Sequence, residues 1–143
     1  MGAHSLAIKT NGTLWACGQG IWGKLGLGDQ TNRYIFTQVG TSTDWIQVTA
    51  GMHHTVARKN NGQLWAFGLN VNGALGQGTN DYHGYTLPLQ IGTSTDWVQV
   101  IAGGVHNIAL KNNATLWTWG DNLSGQLGLG DGVQRNIPTQ VGQ

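Results

Sequence analysis

Short apolar runs alternate with glycine- and asparagine-rich turns along the whole chain. In residues 54–69, for example, apolar positions lie on both sides of Asn61-Gly62. Asn-Gly between two such runs favours a β-hairpin, because its tight turn needs two residues that tolerate positive φ. No segment keeps an apolar period of 3.6 residues, so the pattern predicts an all-β fold.

These runs belong to a repeat. GTSTDW at residues 40–45 returns at 92–97, and the period is 50 residues from His4 to His54 and 52 from His54 to His106. A period of this length indicates a solenoid, a propeller or an array. The structural positions that recur once per repeat are His4, His54 and His106; Trp15, Trp65 and Trp117; and Gly23, Gly73 and Gly125.

A complete repeat predicts four short antiparallel strands. Two of them flank the asparagine turn, a third follows a glycine-rich loop, and the fourth begins with the Asp-Trp pair. Pro88 and Pro138 place the third of these at the edge of its sheet, because proline has no N–H to donate. We divide the chain into a single repeat domain, residues 1–143, with a partial repeat at 1–40 and repeats at 41–92 and 93–143.

The polar residues give little support for catalysis. The aspartates recur at one turn per repeat, so they should lie too far apart for paired acid–base work. The glycine-rich loop lacks the Lys-Ser/Thr of a phosphate-binding loop, and no nucleophile-elbow motif occurs. We expect no enzyme activity and no cofactor. The periodic histidines are interpreted as packing groups of each repeat, and a metal-dependent enzyme that uses them is a remote alternative.

Composition excludes further classes. Charged residues make up only 9% of the chain and the net charge is +1, so nucleic acid is not an expected partner. No apolar run is long enough to cross a membrane as a helix, and no signal peptide is visible. Cys17 is the single cysteine, so an intrachain disulfide is excluded. The compartment stays open.

The recurring frame resembles a known family. It combines G-x-x-H, NG-x-LW-x-x-G, G-x-LG-x-G and P-x-Q-[VI]-G, and it resembles the repeat of the regulator of chromosome condensation family across the whole chain. The GTSTDW-[IV]-QV segments are similar to the bacterial branch, which implies a bacterial parent protein, secreted or at the cell surface. The resemblance implies a β-propeller of four-stranded blades, usually about seven of them. The family's nucleotide exchange activity has no matching residues here.

The chain holds only about three repeats, and the first lacks the Asp-Trp strand. A closed ring therefore requires oligomerisation or a larger protein, since propellers have at least about four blades. Unpaired strand edges favour pairing with another chain. We expect a scaffold that self-assembles, for example as a homodimer of about six blades.

Four residues depart from the repeat. Trp22 replaces the Asn72 and Ser124 of the other repeats, and Tyr82, His83 and Tyr85 lie in the longest loop. Aromatic residues are enriched where proteins bind partners, so these four are the candidate contact for a protein partner. The alternative is a protein- or glycan-binding module that uses the same aromatic side chains.

Overall fold

The computed structural model describes residues 2–142; Met1 and Gln143, the ends of the predicted domain, lie outside the described residues. The described residues form eleven β-strands: β1 His4–Ile8, β2 Leu14–Gly18, β3 Arg33–Gln38, β4 Trp45–Ala50, β5 His54–Lys59, β6 Leu64–Leu69, β7 Gly84–Gln90, β8 Trp97–Ala102, β9 His106–Lys111, β10 Leu116–Gly120 and β11 Arg135–Gln140.

The strands form three antiparallel sheets, which we call blades. Within residues 2–142, blade 1 has the order β1-β2-β3, blade 2 the order β4-β5-β6-β7 and blade 3 the order β8-β9-β10-β11. The predicted all-β fold with four-stranded blades is confirmed, and blade 1 has three strands within the described residues. The three blades of residues 2–142 do not close a ring.

Each blade has an inner and an outer end. The inner strands β4 and β8 lie side by side, and the Gln47 and Thr49 side chains of β4 hydrogen-bond the backbone of β8 at Val100 and Ala102. The outermost strands, β7 and β11, contain Pro88 and Pro138 at the sheet edge. Proline has no backbone N–H, and no hydrogen bond is lost there because the outer side of an edge strand has no neighbouring strand.

The core lies between blades. One face of each blade, here called the forward face, packs against the rear face of the next blade. Between blades 1 and 2, the forward face contributes Leu14, Ala16, Leu25 and Val39, and the rear face contributes Trp45, Ala57 and Phe67. Between blades 2 and 3, the corresponding residues are Val56, Leu64, Ala66, Leu75 and Ile91 on the forward face and Trp97, Val100, Ala109 and Trp119 on the rear face.

The glycine-rich loops reach across to the following blade. A Cβ at Gly23 would lie 2.6 Å from Thr86 Cα, and a Cβ at Gly73 would lie 2.6 Å from Asn136 Cα. Both glycines also have positive φ, at 76° and 72°. The loop therefore needs glycine there for two reasons, and the close approach lets Leu25 and Leu75 enter the core between blades.

Two blade faces stay open within the described residues. The forward face of blade 3 exposes Ile101 at 50% and Ile108 at 37%, beside a groove of about 90 Å³ that Leu110 and Leu116 also line. On the rear face of blade 1, Trp15 and Cys17 are half-buried. Val56, Leu64 and Phe67 are buried at the internal junctions, whereas the equivalent Ile108, Leu116 and Cys17 are partly exposed at these two faces.

One turn contains alanine where the others contain glycine. Ala114 has φ = 66°, and the equivalent Gly12 and Gly62 have φ = 81° and 83°. Because a Cβ in this region costs about 1–2 kcal/mol, Ala114→Gly should raise the free energy of unfolding by about 1 kcal/mol in urea denaturation. The matched reverse change, Gly62→Ala, should destabilise more strongly, because its Cβ would lie 1.9 Å from the Thr95 carbonyl oxygen. A destabilised Ala114→Gly variant would contradict this account of the turn.

Candidate functional site

The first repeat histidine makes a hydrogen bond between blades 1 and 2. His4 Nε2 lies 3.0 Å from Thr55 Oγ1, and the Thr55 hydroxyl donates to the carbonyl oxygen of Lys24 at 2.8 Å. Since that hydroxyl hydrogen is used on Lys24, His4 Nε2–H is the donor to Thr55. The three residues form a relay from blade 1 to blade 2 and back.

The same relay recurs between blades 2 and 3. His54 Nε2 lies 2.8 Å from Asn107 Oδ1, and Asn107 Nδ2 donates to the carbonyl oxygen of Ala74 at 2.7 Å. His106 occupies the equivalent position in blade 3 and is half-buried. The described residues contain no following blade that could supply its partner.

Burial keeps these histidines neutral. Burial lowers the pKa of His54 to about 4, against the opposing effect of the Asn107 hydrogen bond. Burial also lowers the pKa of His4 to about 4, and the nearby Lys24 charge adds to that effect. Nowhere in residues 2–142 do three or more His, Cys, Asp or Glu side chains stand close enough together to hold one metal ion.

A second repeated group surrounds a lysine. Lys59 Nζ lies 4.9 Å from the ring centroids of both Trp45 and Trp65, 3.6 Å from Asp44 Oδ1 and 3.3 Å from Ser42 Oγ. Cation–π attraction and the carboxylate both stabilise the ammonium group here. We call this arrangement the lysine cage.

Blade 3 contains the same cage, and blade 1 contains half of it. Lys111 Nζ lies 4.8 and 4.5 Å from the rings of Trp97 and Trp117, and 3.4 Å from Asp96 Oδ1. In blade 1, Lys9 Nζ lies 3.7 Å from the centroid of Trp15. The cage is not among the features predicted from the sequence, although a lysine recurs there in register with Asp-Trp and Leu-Trp.

The structure brings the four candidate contact residues to one boundary between blades. Trp22 lies in the 3₁₀ turn Ile21–Gly23 of blade 1 with φ = 66°. A Cβ at Gly84 would lie 2.6 Å from the carbonyl oxygen of Trp22, so this turn directly contacts the start of β7 in blade 2. Trp22 and the loop at 82–85, separate in sequence, are therefore neighbours.

Within this group the side chains differ in exposure. Tyr82 is 77% exposed and His83 is also exposed, whereas Tyr85 is half-buried against the core of blades 2 and 3. The Tyr85 hydroxyl lies 3.4 Å from Asp81 Oδ2, and burial followed by the Asp81 charge raises the pKa of Tyr85. The His83 ring packs edge-on against Tyr85 at 4.6 Å. Tyr85 thus supports the loop. The half-buried Trp22 and the exposed Tyr82 and His83 form what we call the aromatic patch.

Comparison with known proteins establishes the family. The description "Regulator of chromosome condensation (RCC1) repeat" matches residues 11–58, 61–110 and 113–143. This chain belongs to the RCC1 repeat family, and the structure shows its β-propeller blades as an open array.

The chain covers only part of its relatives. It is 34% identical to the ultraviolet-B receptor UVR8 of Arabidopsis thaliana, over 96% of this chain and 32% of that protein. It is 35% identical to the probable E3 ubiquitin-protein ligase HERC6 of Homo sapiens, over 96% of this chain and 14% of that protein. The chain therefore spans about a third of the first relative and less of the second.

Solved structures show the same fold. Human WBSCR16 superposes with a TM-score of 0.85 at 24% identity, covering 98% of this chain and 36% of that one. Yeast RCC1 (Prp20), solved bound to Kap60, gives 0.86 at 21% identity, covering 100% of this chain and 36% of that one. The described residues include no helix long and apolar enough to cross a membrane.

The relay predicts a pH dependence of stability. The pKa of His54 is about 4 in the folded chain and about 6.5 when unfolded, so between these values the unfolded state binds more protons. The free energy of unfolding should therefore fall as pH falls from about 6.5 to 4, by on the order of 1–3 kcal/mol from His54. Arg33 and Arg135 lower the pKa values of Asp29 and Asp131, so these two carboxylates affect the free energy of unfolding only at lower pH.

Urea denaturation between pH 7 and 4.5 measures this dependence. A His54→Gln variant keeps an amide donor near Asn107 and should show a weaker slope over the same range. An unchanged slope in that variant would assign the pH dependence to other groups.

Proposed function

We propose that this chain is a non-enzymatic β-propeller scaffold that self-assembles through its open blades and binds a protein partner at one face. The open forward face of blade 3 supports assembly. Ile108 and Leu116 occupy the positions that Val56 and Leu64 fill in blade 2, where they are buried against the next blade, whereas Ile108 and Leu116 are partly exposed. The same apolar chemistry in an exposed position favours a docked neighbour.

Ala114 supports a second copy of this chain as that neighbour. At Gly12 and Gly62, a Cβ would lie 1.9 Å from the carbonyl oxygen of Thr43 or Thr95, which belong to the Thr-Asp-Trp segment of the next blade. Ala114 has a Cβ at the equivalent position, so a next blade with that segment would have to shift. Blade 1 has no such segment within the described residues, so its rear face is free of this clash.

Head-to-tail docking of blade 3 on blade 1 of another copy would join apolar faces. Two copies docked reciprocally would give a ring of about six blades, within the range of known propellers. Two features of blade 3 together carry this proposal. Its forward face is apolar and open, and its Ala114 turn leaves room only for a neighbouring blade that, like blade 1 within the described residues, has no Thr-Asp-Trp segment at that place.

The solution mass tests assembly. Light scattering on a sizing column, over a range of concentrations, should give a defined multiple of 15.3 kDa. Ile101→Lys, which puts a charge on the forward face, should shift the mass to that of the single chain. The matched control is Ile46→Lys on β4, where Ile46 is 49% exposed against 50% for Ile101.

A single-chain mass for the unmodified protein would contradict self-assembly. The forward face would then be assigned to a further blade of a longer polypeptide. If Ile46→Lys and Ile101→Lys lowered the solution mass equally, the forward face of blade 3 would not be the assembly surface.

The proposed partner site is the aromatic patch. Structural relatives are described as protein binders: yeast RCC1 was solved bound to Kap60, and Prp20p of Saccharomyces cerevisiae was studied for binding to Gsp1p and histones. These likenesses concern the fold, and the patch residues supply the support in this chain. Trp22 has a left-handed backbone where a large side chain is unusual, a feature that is often kept for function.

Substitution of the patch tests partner binding. Trp22→Ala and Tyr82→Ala should each weaken capture of the protein partner by about tenfold, as expected for aromatic contacts at an interface. Tyr34→Ala is the control, because Tyr34 is 93% exposed on β3 and lies outside the patch. Retained assembly with lost capture would separate the two activities, and equal loss in the control would contradict a patch-specific site.

A glycan-binding module that uses the same aromatic side chains is the alternative. Binding to a glycan array that disappears in Tyr82→Ala would favour it. An enzyme is not proposed, because the repeat histidines His4 and His54 are engaged in relays and Asp44 and Asp96 face lysines. The GTSTDW segments support a bacterial, secreted or cell-surface parent protein.

A further inference from the structure

The glycine-rich loop of each blade ends at an aspartate that is held in the same way. Asp29 Oδ1 accepts the backbone N–H of the residue two positions further on at 3.0 Å. Asp81 and Asp131 accept the same bond at 3.0 and 2.9 Å. This turn uses Oδ1 in all three blades, and the second carboxylate oxygen, Oδ2, lies beside the side chain four positions after the aspartate.

That side chain is an arginine in blades 1 and 3. Arg33 Nη2 lies 2.8 Å from Asp29 Oδ2, and Arg135 Nη2 lies 2.9 Å from Asp131 Oδ2. The Nη1 group of each arginine also reaches the other carboxylate oxygen, at 3.3 and 3.4 Å. A two-point contact of this kind suits the planar guanidinium group, because its donors match the two oxygens of a carboxylate.

Blade 2 has tyrosine in place of this arginine. The Tyr85 hydroxyl lies 3.4 Å from Asp81 Oδ2, and Asn70 Nδ2 lies 3.3 Å from the same oxygen. Both distances exceed the usual ranges for such hydrogen bonds, so Asp81 Oδ2 keeps the capacity for a shorter, charge-assisted bond. Residues 68–86 contain no lysine or arginine, so the loop of blade 2 supplies a carboxylate and no cation.

The Asp81 carboxylate is charged at neutral pH and partly exposed. Burial raises the pKa of Asp81, but hydrogen bonds from the His83 N–H, Asn70 and Tyr85 outweigh that effect, and the pKa is lowered. The next two side chains, Tyr82 and His83, are exposed aromatic rings. A cation that approaches the carboxylate therefore also meets aromatic faces, which attract it through their π electrons.

The position of this carboxylate does not depend on an end of the chain. The turn that contains Trp22 contacts the start of β7 at Gly84, and Asn136 of blade 3 contacts Gly73 of the same loop. Blades 1 and 3 thus flank the loop of blade 2 on both sides. The exposure of Asp81 is a property of blade 2 within this arrangement.

We propose that Asp81 and the aromatic patch bind an arginine side chain of the protein partner. On Asp81 Oδ2 the guanidinium group takes the place that Arg33 and Arg135 take in the other blades. The Tyr85 hydroxyl keeps its contact, since a carboxylate oxygen accepts more than one hydrogen bond. Arginine is favoured over lysine because its flat, weakly hydrated group bonds a carboxylate and stacks on an aromatic ring at the same time. This inference rests on the proposed partner site and names the side chain that the site recognises.

A titration with short peptides, followed by ¹⁵N NMR, tests the proposal. The probe is the acetylated and amidated tripeptide Leu-Arg-Leu, and the two control peptides have lysine or citrulline, the neutral analogue of arginine, at the central position. The arginine peptide should shift the backbone amides of Tyr82, His83 and Gly84 saturably at millimolar concentration. The citrulline peptide should bind about threefold to fivefold more weakly, which is the strength of an exposed ion pair.

Matched variants of the protein assign the effect to one carboxylate. Asp81→Asn keeps the side-chain oxygen that accepts the His83 N–H but has no charge, so it should bind the arginine and citrulline peptides equally. Tyr85→Arg supplies an internal guanidinium group, as in blades 1 and 3, and should also remove the preference for arginine. Asp29→Asn is the control and should leave this preference unchanged, because Asp29 is already paired with Arg33. The ¹⁵N spectrum of each variant verifies that it is folded.

Three results would overturn the inference: no saturable shifts at residues 82–84, equal binding of the arginine and citrulline peptides to the unmodified chain, or an unchanged preference in Asp81→Asn. Equal binding of the lysine and arginine peptides would contradict the choice of a guanidinium group.

The inference and the proposed partner site also fail separately. If Trp22→Ala and Tyr82→Ala weaken all three peptides alike while Asp81→Asn changes nothing, the patch stands and arginine recognition is wrong. If Asp81→Asn removes the preference for arginine while Trp22→Ala and Tyr82→Ala change nothing, the carboxylate binds arginine and the patch is not the partner site.

Discussion

The fold depends on the contact between the forward face of one blade and the rear face of the next. A sheet of three or four short strands is only one layer, so it cannot bury both faces by itself. The two hydrophobic clusters both lie between blades, and each combines aliphatic side chains from one blade with tryptophan or phenylalanine from the next. Among the residues that the structure describes, blade 2 is covered on both faces, whereas blades 1 and 3 are each covered on one.

The relays set how the blades meet. His4 and His54 each bond a side chain on the following blade, and that side chain returns to a carbonyl of the glycine-rich loop. A buried carbonyl without a donor would cost about 1–3 kcal/mol. The relay therefore fixes the loop and the neighbouring blade together, and its neutral histidines make that junction sensitive to acid.

Two surfaces of the described residues correspond to contacts that are complete at blade 2. Its apolar forward face and its incomplete lysine cage are both portions of junctions that are complete elsewhere in the same chain. The central blade shows what each portion packs against within the chain: another blade for the face, and a Ser-x-Asp-Trp strand for the cage. The aromatic patch differs, because no other repeat has an aromatic residue at the positions of Trp22 and Tyr82. The other blades therefore do not show what packs against this patch.

The sequence determined the local structure, because strands, hairpin turns and glycine positions depend on residues close in the chain. Asn61-Gly62 indicates its turn, Pro88 indicates an edge strand, and a constant period places His4, His54 and His106 in equivalent positions. The division of the chain into three repeats also follows from register alone.

Only the tertiary structure decided which residues meet across blades, since those contacts join positions about fifty residues apart through packing angles that periodicity does not encode. It placed Trp22 against Gly84, and it placed the Tyr85 hydroxyl near Asp81 with the Tyr85 ring beneath His83. It also assembled the lysine cage, whose members are too scattered in sequence to be grouped without knowing which strands pair.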